Sequence, residues 1–123
     1  MQPVIDRDVL IDYLRGVSSA REELARYDRP ACSIISFVEL LVGARTPAER
    51  QATEALLVAL ERLELNEAVA RRAVALRQTL RLKLPDAIVL ASAENEGCIP
   101  VTRNTRDFPA NDPRVRFPYA VRF

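Results

Sequence analysis

A chain of 123 residues with 49% hydrophobic and 28% charged residues has the make-up of one globular domain with a single core. Eighteen basic residues against seventeen acidic ones leave a formal charge of +1, too little for the broad basic surface that coats DNA. There is no histidine, which removes Ser-His-Asp and Cys-His catalysis, paired-histidine nucleases and histidine-ligated zinc together.

Lys83 is the one lysine among the basic residues; the arginine bias suits bidentate phosphate contacts and equally follows from the base composition of a source genome. Cys32 and Cys98 fall in apolar runs and read as reduced core residues, too few to ligate zinc. No apolar run approaches a membrane span and no secretory leader pattern opens the chain, so the expected setting is the cytoplasm, away from membranes.

In chain order, Met1–Ile5 reads as a short buried strand that delivers Asp6, Arg7 and Asp8 to the start of a helix over Val9–Arg15, closed by Gly16. Either aspartate would serve as the helix cap, and one cap does not need both. Ser18–Tyr27 reads as an amphipathic helix with Leu24 inward and Glu22, Glu23 and Arg26 outward. Ala31–Ile35 is the second strand. In the segment from Ser36 to Ala44, Ser36 and Glu39 match the S-x-x-E capping box. Against a purely structural role, Glu39 sits between apolar Phe37-Val38 and Leu40-Leu41-Val42, where a carboxylate is costly without a partner.

Pro47 opens a helix to about Arg62, with Leu56, Leu57, Val58 and Leu60 as its stripe, and Leu63–Leu65 is a brief strand. Asn66 caps a helix carrying Ala68, Val69, Ala73, Leu76 and Leu80 inward, and the two helices read as a hairpin. Arg71, Arg72, Arg77, Arg81 and Lys83 make the second one basic. Pro85 suits the first turn of the next helix, whose face is Ala87, Ile88, Leu90, Ala91 and Ala93 and whose end is Gly97. Cys98–Thr102 is a strand, Arg103–Asp107 a polar turn, and Val115–Phe117 with Tyr119–Phe123 a final edge strand.

Strands alternating with helices give an α/β fold whose central, mostly parallel sheet is flanked by helices in three layers across residues 1–123. Asp6, Glu39, Asp86 and the turn from Asn104 to Asp107 then fall at strand ends or helix starts. Such positions gather at one sheet edge, where several carboxylates need a cation to stay ionised together. Oxygen ligands select Mg²⁺ or Mn²⁺, which engage phosphates and activate water without histidine. The chemistry read from the residues is metal-dependent phosphodiester hydrolysis.

Four segments resemble the PIN-domain ribonucleases, and among them the VapC-type toxins of bacterial toxin–antitoxin pairs: V-I-D-R-D-V-L-I-D-Y-L-R-G, S-I-I-S-F-V-E-L-L-V-G-A, L-K-L-P-D-A-I-V-L-A-S-A and V-T-R-N-T-R-D-F. The resemblance covers nearly the whole chain and implies a PIN-like fold and Mg²⁺-dependent cleavage of RNA. It also implies a homodimer and a VapB-type antitoxin, in heterotetramers or larger assemblies. DNA would then be met only through the antitoxin. Carried over by position, Asp6, Glu39 and Asp86 are the metal-binding acids. The family's fourth acid falls on Asn104, and Asp107 either supplies the missing carboxylate or caps the next turn. Arg7 stands where the family has a small hydroxyl residue, and would contact RNA phosphate or compete with metal for Asp6. Thr102 keeps the family's hydroxyl beside the site, and Thr102 and Arg103 are candidate RNA contacts.

Two other readings compete. Asp6 and Asp8 also resemble the paired-aspartate opening of haloacid-dehalogenase-like phosphatases, with Asp6 as nucleophile and Asp8 as general acid. In the other, the acids are caps and solvated charges of a non-catalytic RNA- or protein-binding module.

Overall fold

The computed structural model describes residues 2–106, 108 and 112–120. Its elements are β1 (Pro3–Ile5), α1 (Arg7–Leu14), α2 (Ser18–Ala25), β2 (Ala31–Ser33), α3 (Ile34–Gly43) and α4 (Pro47–Val58). They continue with β3 (Glu61–Leu63), α5 (Glu67–Leu80), α6 (Leu84–Asn95) and β4 (Ile99–Val101). The four strands form one parallel sheet in the order β3-β2-β1-β4. The chain therefore steps from β1 outward to β3, then returns to place β4 on the other side of β1. The gap between β1 and β4 is the switch point of the sheet, where open α/β folds bind ligands beyond the carboxyl ends of the strands.

Successive strand residues face opposite ways, and the core divides accordingly. Ile5, Cys32 and Val101 pack with Val9 and Leu10 of α1, Leu40 of α3, and Leu56 and Leu57 of α4. Val4, Ala31 and Leu63 face Val89 and Ala93 of α6. On that second side α6 also meets α5 through Val69, Ala73 and Leu76. All residues from Ala87 to Ala93 are buried, so α6 is covered on every side rather than on one stripe. Ser92 answers its burial by donating to the Ile88 carbonyl at 2.7 Å. Truncating Leu90 in this layer costs about 2–5 kcal/mol.

The α/β architecture and its parallel sheet agree with the sequence reading, and several boundaries do not. Ala31–Ser33 passes into α3 with no connecting residue: Ser33 ends β2 and caps α3, accepting from the Ile35 amide at 3.0 Å. Ile34 and Ile35 are thus helical, and Ser36 is not a cap. It is buried inside the helix, its hydroxyl without a hydrogen-bond partner among the described residues. The capping-box explanation of Glu39 falls with it.

Thr46 caps α4, which ends at Val58, and Val58 is 85% exposed rather than part of the stripe. The third strand begins two residues earlier than expected because Glu61, Arg62 and Leu63 pair with Ala31, Cys32 and Ser33. With β3 between them, α4 packs on α3 and α5 on α6, so the expected hairpin does not form. Ala68 is exposed. Asn66 does cap α5, accepting from the Val69 amide at 2.9 Å, and Gly97 takes the left-handed φ of 65° that ends α6. The expected final strand reduces to one parallel bridge between Val101 and Arg116, and its last residues, 121–123, lie outside the described residues.

Candidate active site

Asp6 follows directly on β1. It is the N-cap of α1, its backbone extended and its carboxylate accepting from the Arg7 amide at 2.8 Å. On the other side of the switch point, Thr102 follows directly on β4 and is wholly buried. Parallel pairing of β1 with β4 brings the two strand ends level, with the Asp6 amide donating to the Val101 carbonyl at 2.9 Å. The Thr102 hydroxyl lies 2.8 Å from Asp6 Oδ2 and 3.1 Å from Asp8 Oδ2. Its oxygen already accepts from the Asn104 amide at 3.1 Å, so one proton is shared between two carboxylates.

The electrostatic cost is visible on both acids. Asp6 is 7% exposed, and burial pushes its carboxyl above the usual range. The Thr102 hydroxyl and Arg7 amide pull it down, and the charge of Glu39 adds to the rise. Asp8 is pushed up to about 6 by burial and by the charge of Asp6. Its Oδ1 is buried with no partner among the described residues. From sequence Asp8 reads as a helix cap or as the general acid of the phosphatase alternative. The signal the sequence lacked is the position of Thr102, which draws the first turn of α1 into the site.

Glu39 projects from α3, its side chain 28% exposed, and Arg7 Nη1 stands 3.9 Å from its Oε2. Asp86 occupies the first turn of α6, as the proline signal indicates. Because α6 runs back against the strand direction to feed β4, its start lies at the carboxyl edge of the sheet, the same edge as Asp6 and Thr102. Asn104 accepts from the Arg106 amide at 3.2 Å in a tight turn. Asp107, the alternative fourth acid, lies outside the described residues.

Arg103 pairs with Asp12, one turn along α1 from Asp8, whose charge also acts on it. Its Nε donates to Asp12 Oδ2 at 2.7 Å and its Nη2 to Asp12 Oδ1 at 3.3 Å, while the Tyr119 hydroxyl donates to the same Asp12 Oδ2 at 2.7 Å. Glu23, expected on the outer face of α2, is 4% exposed and grips Arg116 through two hydrogen bonds of 2.7 and 2.9 Å. Cys32 is buried with its thiol pushed up to about 11, which keeps it protonated and inert. A separate groove of about 390 Å³ lies between α1, α2 and α4, lined by Tyr13, Leu24, Ala25, Tyr27, Leu56 and Leu60 among others, and includes none of the site acids.

A carboxylate pair at the β1/β4 switch point, built from the ends of two adjacent parallel strands, invites comparison with known folds. The PIN domain family model matches residues 4–112. The chain belongs to the PIN-domain family. It is 37% identical over 126 residues to the protein named Ribonuclease VapC10 of Mycobacterium tuberculosis strain H37Rv, covering 96% of this chain and 93% of that one. It superposes with a TM-score of 0.90 and 38% identity on a chain of a toxin–antitoxin complex from Klebsiella pneumoniae, covering 97% and 99% of the two chains. A Rickettsia felis VapBC2 complex bound to promoter DNA, at 19% identity and a TM-score of 0.80, shares the fold. Membership of this family replaces the phosphatase alternative; in this PIN domain Asp6 and Asp8 share the Thr102 hydroxyl.

A divalent cation is implied by the family, and the residues present fit one. The donors are oxygen alone, Asp6 is desolvated, and Asp8 Oδ1 is buried without a hydrogen-bond partner among the described residues. Among the described residues no three acidic side chains stand together as a finished cage. The fit therefore rests on the Asp6–Asp8 pair, with Glu39 near enough for its charge to act on Asp6 and with Asp86 in the first turn of α6 at the same sheet edge.

Proposed function

We propose that this PIN domain is an Mg²⁺- or Mn²⁺-dependent endoribonuclease, the toxin of a type II toxin–antitoxin pair. The observation that carries the reading is the shared Thr102 hydroxyl. One buried and one half-buried carboxylate divide one proton at the sheet's switch point, an arrangement that a hard cation relieves. The relative named as a ribonuclease and the toxin–antitoxin complex of matching fold support it.

Asp6, Glu39 and Asp86 would hold the cation, with Asp8 beside them and Asn104 or Asp107 at the fourth position. When bound, the cation supplies activation of water and stabilisation of charge on the phosphoryl oxygens. The protein's own part is orientation. The Arg7 amide and Thr102 hydroxyl fix the rotamer of Asp6, and the buried setting of Thr102 keeps water from replacing that bond. Arg7 is half exposed at the rim beside Glu39 and suits an RNA phosphate entering the site.

The partner is a VapB-type antitoxin, and DNA is engaged through it. The groove lined by Tyr13, Leu24, Tyr27 and Leu56 suits an apolar antitoxin segment. Val38 and Val42, 47% and 75% exposed and one turn apart on α3, suit pairing of two copies in a homodimer.

The deciding experiment incubates purified protein with a mixed RNA pool in Mg²⁺ or Mn²⁺, with EDTA and with Asp86→Asn as controls. Metal-dependent cutting lost in the variant supports the proposal. Absence of cutting together with absence of metal binding by calorimetry overturns it and leaves a binding module.

A further inference from the structure

Asp8 and Asp12 lie four residues apart on α1, hence on one face and one turn apart. The segment leaving β4 runs along that face. Thr102 reaches Asp8, and the next residue, Arg103, reaches Asp12 through a forked pair of hydrogen bonds at 2.7 and 3.3 Å. Asp12 is 8% exposed, and Tyr119 brings it a third donor. The Asn104 amide then closes back on Thr102. Consecutive residues of the segment are thus fastened to consecutive turns of the helix.

Stability alone is a poor account of this arrangement. A buried ion pair is often no more stabilising than apolar residues of the same volume, because desolvation offsets the attraction. Nor does the C-terminal strap need Asp12 to stay in place. Arg116 is tied to β4 by two backbone hydrogen bonds, to Pro100 and from Thr102, and to Glu23 by its guanidinium. The guanidinium that Asp12 holds is that of Arg103, the residue between Thr102 and Asn104.

We propose that Asp12 is a positioning residue of the acidic site. With Tyr119 it fixes Arg103, and through Arg103 it holds the Thr102–Asn104 segment in the register that aims the Thr102 hydroxyl at Asp6 and Asp8. Asp12 touches neither substrate nor cation in this role. The arrangement also gives Arg103 a task other than the RNA contact expected from sequence. The consequence for catalysis rests on the nuclease reading above; the consequence for the segment's position does not.

The test compares Asp12→Asn and Tyr119→Phe with Glu23→Gln, which loosens the same strap without touching Asp12, all in the full chain. Three quantities are read: amide exchange at Asn104, kcat and KM on an RNA oligonucleotide, and the urea midpoint. Both Asp12→Asn and Tyr119→Phe are expected to speed Asn104 exchange and to lower kcat about tenfold at little-changed KM, as a displaced catalytic group does. Glu23→Gln is expected to lower the urea midpoint while leaving Asn104 exchange and kcat near wild type. Wild-type exchange at Asn104 in folded Tyr119→Phe and Asp12→Asn overturns the proposal. So does equal acceleration in Glu23→Gln, which would make the effect one of general loosening. Should Asp12→Asn not fold, Tyr119→Phe decides. Should the wild-type protein leave RNA uncut, the nuclease reading fails and the exchange comparison alone decides the positioning role.

Discussion

Thr102 and Asp6, 96 positions apart in sequence, meet through a buried 2.8 Å hydrogen bond across the β1/β4 switch point. Thr102→Val keeps the shape and removes the proton, leaving Asp6 and Asp8 facing a methyl group. Stability is expected to fall by about 1–3 kcal/mol, the cost of stranding a buried polar group. RNA cleavage is expected to fall with it. Thr102→Ser, which restores the hydroxyl, should recover most of both in urea titration and cleavage assays.

Asp6→Asn separates stability from function. Burial raises the carboxyl of Asp6, so its charged form is disfavoured in the folded state. The amide still accepts from the Arg7 N–H while carrying no charge. The variant is expected to unfold at a higher urea concentration than wild type without added metal, and to lose RNA cleavage and Mn²⁺ binding.

Glu23 sets an acid limit on the fold. The Arg116 guanidinium holds its carboxyl below the usual range, with Tyr27 also donating to it. A carboxyl lowered on folding stabilises the native state above its unfolded value of about 4.5, and the contribution is lost as pH falls through the folded value. Wild-type stability should drop over that acid range, whereas Glu23→Gln should start lower at neutral pH and show a shallower decline. Thermal melts from pH 3 to 7 check the two slopes.

Ala25 is exposed on the wall of the groove between α1, α2 and α4, so a larger side chain there fills the groove without entering the core. Ala25→Arg is expected to leave the melting temperature and RNA cleavage unchanged and to weaken capture of the antitoxin at least tenfold, by the order of one buried contact cluster. Calorimetric titration with the antitoxin's peptide segments measures it.

Arg81 ends α5 in the left-handed conformation, φ 58°, where a Cβ is strained and glycine is not. Arg81→Gly is expected to stabilise by about 0.5–1 kcal/mol in urea titration, with cleavage unaffected.

Local chemistry made much of this protein legible from its sequence. Pro85 ahead of Asp86 marks a helix start, Asn66 is a cap and Gly97 a left-handed stop, because each acts on neighbouring backbone groups. The apolar ends of β1 and β4 and the acid that follows β1 come from the same short-range patterning, and the absence of histidine narrows the chemistry without any structure. Ser33 displaced Ser36 as the α3 cap because both lie close to the strand end, and only the β2–β3 register settles where the strand stops.

The tertiary fold alone decided which charges are buried and with whom. Glu23 meets Arg116 across 93 positions, and Asp12 meets Arg103 and Tyr119 across 91 and 107. Nothing local to these residues separates them from solvated surface charges. They are brought together because β4 inserts beside β1 and carries the C-terminal strap over α1 and α2, and a buried carboxylate is tolerated only where such a partner arrives. The same strand order draws Asp8 to Thr102. Sequence placed the acids along the chain; the β3-β2-β1-β4 order determined which of them share a proton.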